Sequence, residues 1–221
     1  MFKMIYVRQI LQNLIYMIPA MLIAITVHEY AHGFVSYKLG DNTPKRDGRL
    51  TLNPFAHMDL WGTICLVLFR MGWAKPVRIN VGCYKNRKQG IIMVALAGPI
   101  MNYLVAFICM LLYGLCFWKG FEIGVWFYYC AVVNIGLGTF NLIPIPPLDG
   151  SNVLMELVPK VKDFYARIRK YAPIVMFVCV ATGILRYPLN WANEWVMEGM
   201  WKIVKAILNL FTIPQSTGTY I

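Results

Sequence analysis

The chain has 221 residues, of which 59% are hydrophobic and 14% charged, and its formal net charge is +11. Soluble domains carry roughly a quarter charged residues, so this composition excludes an ordinary soluble domain and points to a bilayer. Lys and Arg lie between long apolar runs rather than on a basic face interleaved with aromatics, which argues against nucleic-acid binding and for charges that set membrane orientation.

Apolar segments fall at about 10–37, 58–73, 91–118, 124–143 and 172–188. About 20 apolar residues span a hydrocarbon core of ~30 Å. The segment at 58–73 is short for this and carries Arg70 near its end. The first segment leads straight into a charged motif instead of a small-residue cleavage site, so it is expected to be retained. Residues 49–53 follow the turn signal Asp47-Gly48, and Val77, Ile79 and Val81 alternate with Arg78 and Asn80. Both stretches read as short strands. In 191–212, Glu194, Glu198, Lys202, Lys205 and Asn209 recur every three or four residues as a polar stripe, which predicts an amphipathic helix lying in the membrane interface. The six cysteines form no CxxC pair and read as packing residues.

The chemistry begins in the first segment with His28-Glu29-Tyr30-Ala31-His32. Positions i and i+4 share a helix face, so both imidazoles can reach one metal ion, with Glu29 beside them as general base toward a water. Three ionisable residues in a membrane helix are costly unless satisfied, which favours function over two histidines merely bonded to neighbours. Two histidines are one ligand short of a catalytic zinc site. His57 is the other histidine of the chain and reads better as an interfacial loop residue; Asp149 is the stronger third ligand. It ends the run Asn141-Leu142-Ile143-Pro144-Ile145-Pro146-Pro147-Leu148-Asp149-Gly150, whose prolines stop a helix. Irregular backbone at membrane depth is tolerated where it is buried in protein or lines a wet cavity. The alternative for Asp149 is a cap on a short helix starting at Ser151. Gly98-Pro99 reads as a close helix approach with a bend, and Asn102 as a hydrogen bond between helices.

His28-Glu29-x-x-His32, followed much later by Asn141-x-x-Pro144-x-Pro146-x-Leu148-Asp149-Gly150, resembles the site-2 protease family. Ala97-Gly98-Pro99-x-x-Asn102 is similar to a third pattern of that family, so the resemblance covers roughly residues 20–155. It implies His28, His32 and Asp149 as Zn2+ ligands and Glu29 as the catalytic glutamate. It also implies that Asn141 contacts substrate or steadies the oxyanion. Two features of many relatives, a PDZ domain and a nucleotide-sensing domain, have no counterpart here, as in the compact bacterial form. The implied activity is hydrolysis of peptide bonds within a partner's membrane helix, the partner being a single-pass membrane protein or a remnant signal peptide.

A fold class follows. The chain is expected to be an all-α polytopic membrane protein with a core of three transmembrane helices plus one or two further helices. A short re-entrant segment with small β-strands and a C-terminal amphipathic helix complete it. One domain is expected over 1–221, with the catalytic core at about 10–155 and C-terminal helices at about 156–213. For one ion to meet both His28 and Asp149, the C-terminal ends of the first and fourth segments must share a side, so 58–73 should enter and return without crossing. That arrangement also gathers the basic stretches 38–90 and 160–170 on one side, which the positive-inside rule makes cytosolic in a bacterial cell membrane. A strand edge at Val77 and Ile79 would pair with an unwound substrate. Two other readings fit the residues less well. A non-catalytic helix-holding protein would not need Glu29, and a metal transporter would need further ionisable residues along a path that 91–118 and 124–143 do not supply.

Overall fold

The computed structural model describes residues 2–59, 62 and 75–210. Helix α1 spans Phe2–Lys38, followed by a short α2 at Thr43–Arg46. Helix α3 (Arg87–Trp118) starts at Asn86, whose side chain accepts from the Gln89 N–H, and α4 follows at Gly124–Asn141. Beyond the proline run come α5 (Asp149–Leu157), α6 (Val161–Ile168), α7 (Ala172–Ala181) and α8 (Arg186–Leu210).

Helices α1, α3 and α4 form the core. Along α1 and α3 the pairing is antiparallel, because His32 meets Val94 while Ala24 meets Asn102. It is antiparallel again between α3 and α4, where Tyr103 meets Thr139 and Tyr113 packs at a tilt against Tyr128. The C-terminal ends of α1 and α4 therefore lie at one end of the bundle, together with the N-terminal end of α3. This is the relation that the metal reading requires. Residues 60, 61 and 63–74, which hold most of the expected re-entrant segment, lie outside the described residues, but the helices on either side of it begin and end at the same end of the bundle.

Helix α3 shows why this bundle suits a bilayer. Ile100, Leu104, Ile108, Leu112 and Leu115 recur at helical spacing and are exposed, whereas Gly98, Asn102, Ala106, Cys109 and Gly114 face inward. Small and polar residues inside with large apolar ones outside is the order expected where lipid is the solvent. Small inward residues on α1, among them Ala20, Ala24 and Ala31, permit the close approach of α3 and α4.

Two described helices, Leu14–Lys38 and Arg87–Trp118, are long and apolar enough to cross a membrane. A third is reached if Ile174–Ala181 and Arg186–Leu210, bent by 79° at their junction, count as one span. The sequence reading makes α4 the third core span; at 18 residues it is shorter than α1 and α3, and it carries Asn134 and Asn141. The expected C-terminal amphipathic helix is present as α8, and it packs on the core. Its Val204 is fully buried in the core cluster, and Trp201 and Leu208 pack around Gly114.

Neither expected strand forms among the described residues. Residues 77–80 join no ladder and Val81 already opens a 3-10 turn (Val81–Cys83), because side chains take the backbone donors of this segment. The Val77 N–H donates to Glu29 Oε2 at 3.1 Å and the Asn80 N–H to Asp41 Oδ2 at 2.7 Å. Residues 49–53 bend at Leu50 and Thr51 and lead into a 3-10 turn over Pro54–Ala56.

Candidate metal centre

His28 and His32 lie one turn apart on α1, and Asp149 opens α5 just after the proline run. Gly150 lets that run fold back, since a Cβ there would collide with the backbone carbonyl of Leu142. Tyr165 of α6 braces the same loop by donating its hydroxyl to Pro144 O at 2.5 Å.

The three side chains converge. His28 Nε2 and His32 Nε2 are 3.0 Å apart, and each is 3.2 Å from Asp149 Oδ2. Tetrahedral ligands at 2.0–2.1 Å from zinc stand roughly 3.3 Å from one another, so the triangle has the right size. His28 and His32 are 5% and 9% exposed, so water does little to screen them.

The protons on the far sides of the rings decide what these atoms face. His32 Nδ1 lies 2.7 Å from Val94 O, which can only accept, so Nδ1 carries the hydrogen. His28 Nδ1 lies 2.7 Å from Asn102 Oδ1. That amide is oriented by its Nδ2, which donates to Ala24 O and to Asn134 Oδ1, so His28 is also protonated at Nδ1. Both Nε2 atoms thus present lone pairs to a carboxylate oxygen that is buried with no hydrogen-bond donor. Three acceptors within about 3 Å repel one another unless a cation lies among them, and two imidazoles with a carboxylate are a zinc donor set. The residues fit a divalent metal, and among the described residues His28, His32 and Asp149 form the group that could hold one.

The other expected site residues lie outside this triangle and make contacts of their own. Glu29 follows His28 on α1 and is bonded through Oε2 to the Val77 N–H. Asn141 ends α4, with its Nδ2 donating to Leu137 O at 3.0 Å. Ile79, two residues on from Val77, is 40% exposed. His57 is not part of the cluster; its fully buried ring donates from Nε2 to Thr51 O at 2.8 Å. Sequence reasoning read Gly98 as a close helix approach and Asn102 as an interhelical hydrogen bond, but it missed that both act on the imidazoles and missed the fully buried Asn134 altogether. The available signal was the price of an asparagine in an apolar helix, which demands a partner.

A helix turn with two histidines and a glutamate, joined by a distant aspartate inside a bundle of membrane-length helices, defines a metallohydrolase of the membrane. Similarity to known proteins makes this specific. The model of Peptidase family M50 matches residues 118–185, which include Asn141 and Asp149 but not the two histidines. The chain is 37% identical over 183 residues to "Putative zinc metalloprotease YwhC" of Bacillus subtilis, covering 79% of this chain and 84% of that protein. It is 28% identical over 195 residues to "Putative zinc metalloprotease Rip2" of Mycolicibacterium smegmatis, covering 83% of this chain and 71% of the relative. A third relative, "Zinc metalloprotease MJ0392" of Methanocaldococcus jannaschii, is 23% identical over 154 residues, 68% of this chain and 36% of its own. No solved structure matches. The chain belongs to peptidase family M50, the site-2 protease family, and is a zinc metalloprotease.

Proposed function

We propose that the protein cleaves peptide bonds within or near the membrane helices of other proteins, with His28, His32 and Asp149 holding zinc and Glu29 acting as general base. The observation that carries this reading is the convergence of three lone-pair donors, without a proton to share, among helices of membrane length. When bound, zinc supplies Lewis acidity, which brings the pKa of a water to about 7. Glu29 accepts that water's proton at Oε1 while Oε2 stays bonded to the Val77 N–H, and it then delivers the proton to the leaving amide nitrogen. Asn141 retains a second N–H beyond its bond to Leu137 O, and this N–H is available to a developing oxyanion or to a substrate carbonyl. Val77 and Ile79 lie in a segment that joins no ladder and is tied to Glu29 through the Val77 N–H, and an unwound substrate segment can bind there.

The substrate class is a single-pass membrane protein or a remnant signal peptide. The lining helices present apolar faces to the bilayer, and hydrolysis needs a chain that enters from it. The basic stretches flanking the centre support a cytosol-facing site in the cell membrane.

The test is zinc content and cleavage measured together in proteoliposomes with a fluorescently labelled single-span peptide library. Wild type is expected to hold about one zinc and to cleave. Glu29→Gln should hold zinc without cleaving, and His28→Ala should do neither. Zinc-free wild type after reconstitution with the metal, or cleavage by Glu29→Gln at the wild-type rate, would defeat the reading.

A further inference from the structure

A membrane helix bears an asparagine at a cost, and here two fully buried asparagines from different helices are joined end to end and aimed at the metal centre. Asn102 of α3 donates from Nδ2 to Asn134 Oδ1 at 2.9 Å and to Ala24 O at 3.0 Å. Asn134 of α4 donates from Nδ2 to Cys130 O at 2.8 Å, which fixes its own orientation. Each amide is thereby held against a flip, and the chain ends with Asn102 Oδ1 at 2.7 Å from His28 Nδ1.

Interhelical hydrogen bonding by itself would be satisfied by Asn102, Asn134 and the Ala24 carbonyl. It would not require Oδ1 to point at a histidine. The direction of the chain matters because an imidazole has two tautomers, and the one that coordinates through Nε2 must carry its hydrogen on Nδ1. On His32 a backbone carbonyl, Val94 O, enforces this choice. On His28 no backbone group does so in the described contacts, and the asparagine pair stands in the equivalent place.

We propose that Asn102, held in orientation by Asn134, is a positioning residue that keeps His28 in the Nδ1–H tautomer with its Nε2 lone pair directed at the metal. The inference rests on the zinc reading of His28, His32 and Asp149, and it adds that α4 reaches the centre a second time, through Asn134 as well as through the loop that carries Asp149. Acceptors behind metal-bound histidines commonly govern affinity by ten- to a hundredfold.

Two readouts test it, and one does not need the metal. In zinc-free protein, long-range 15N–1H correlation of the imidazoles, with His28 assigned by its loss in His28→Ala, should show the Nδ1–H form in wild type. Asn102→Leu should shift His28 toward a mixture or toward Nε2–H. In zinc competition against a chelator, Asn102→Leu should bind ten- to a hundredfold more weakly than wild type. Asn134→Leu should bind a few-fold more weakly, because Asn102 keeps Ala24 O. An unchanged His28 tautomer in Asn102→Leu overturns the inference, as does a zinc affinity in that variant equal to the wild-type one. Wild type that shows the expected tautomer but binds no zinc defeats the zinc reading and leaves the hydrogen-bond assignment standing, so the two failures are distinguishable.

Discussion

A methyl group placed on Gly98 would stand 2.5 Å from His32 Nε2, and it would lie almost as close to the His28 ring, 2.6 Å from Cε1. Helix α3 thus meets the metal centre as bare backbone, and the absence of a side chain at one position sets where both imidazoles rest. Alanine is the better helix former by about 1 kcal/mol, so propensity alone would make Gly98→Ala stabilising. The expected outcome is the reverse for metal. Zinc content should fall below about a tenth of wild type while the thermal stability of the zinc-free protein in detergent changes little. Full zinc occupancy in Gly98→Ala would mean that the rings have another resting place.

Val77→Pro removes the N–H that holds Glu29 Oε2 and leaves the zinc ligands untouched. Zinc content should remain at about one per chain, and cleavage should slow by roughly ten- to a hundredfold as the base loses its fixed position. Unaltered cleavage would show that Glu29 is oriented by something else.

Tyr165 ties α6 to the proline run that delivers Asp149. Tyr165→Phe deletes one hydrogen bond, at about 1 kcal/mol. If the loop transmits that loosening, zinc affinity in a chelator competition should fall by about fivefold. A lowered melting temperature with unchanged affinity would confine the role of Tyr165 to stability.

Asp41 fastens the segment after residue 75 to the end of α1. Burial opposes its charge, but donation from Thr43, from the Asn80 N–H and from the Ser36 hydroxyl outweighs this and holds its carboxyl below the usual range. A depressed carboxylate pKa means that folding favours the ionised form. The contribution is complete above the ordinary value near 3.9 and disappears as pH falls through the lower folded value. Asp41→Asn should therefore cost about 1–3 kcal/mol at neutral pH, where it turns an amide toward existing donors. The gap in melting temperature between wild type and variant should narrow below about pH 4. A gap that stays constant with pH would show that the charge on Asp41 contributes nothing.

Much of the centre could be read along the chain. His28, Glu29 and His32 sit at helical spacing, and the prolines before Asp149 announce a break at membrane depth, so local geometry alone puts each group in a plausible place. The order of the helices was also legible, because one ion can join His28 to Asp149 only if the ends of α1 and α4 share a side. The strand reading of 77–81 went astray for a tertiary reason. Alternation of side chains reports which faces are apolar, but it does not reveal that Glu29 and Asp41, both distant in sequence, will take the backbone donors a partner strand would need. The C-terminal helix went beyond expectation in the same way, since its period of polar residues did not disclose that Val204 would seat in the core against α3 and α4.

What the sequence by itself determined is the chemistry: the ligand types, the base beside them and the apolar lengths that place them in a bilayer. These depend on residue identity and on near-neighbour spacing. What only the tertiary structure decided is which atoms of those residues are free to act. The tautomers of His28 and His32 are set by Asn102 and by Val94 O from another helix, and the close fit of the rings is set by Gly98. These contacts join residues more than sixty positions apart, and no local periodicity encodes them.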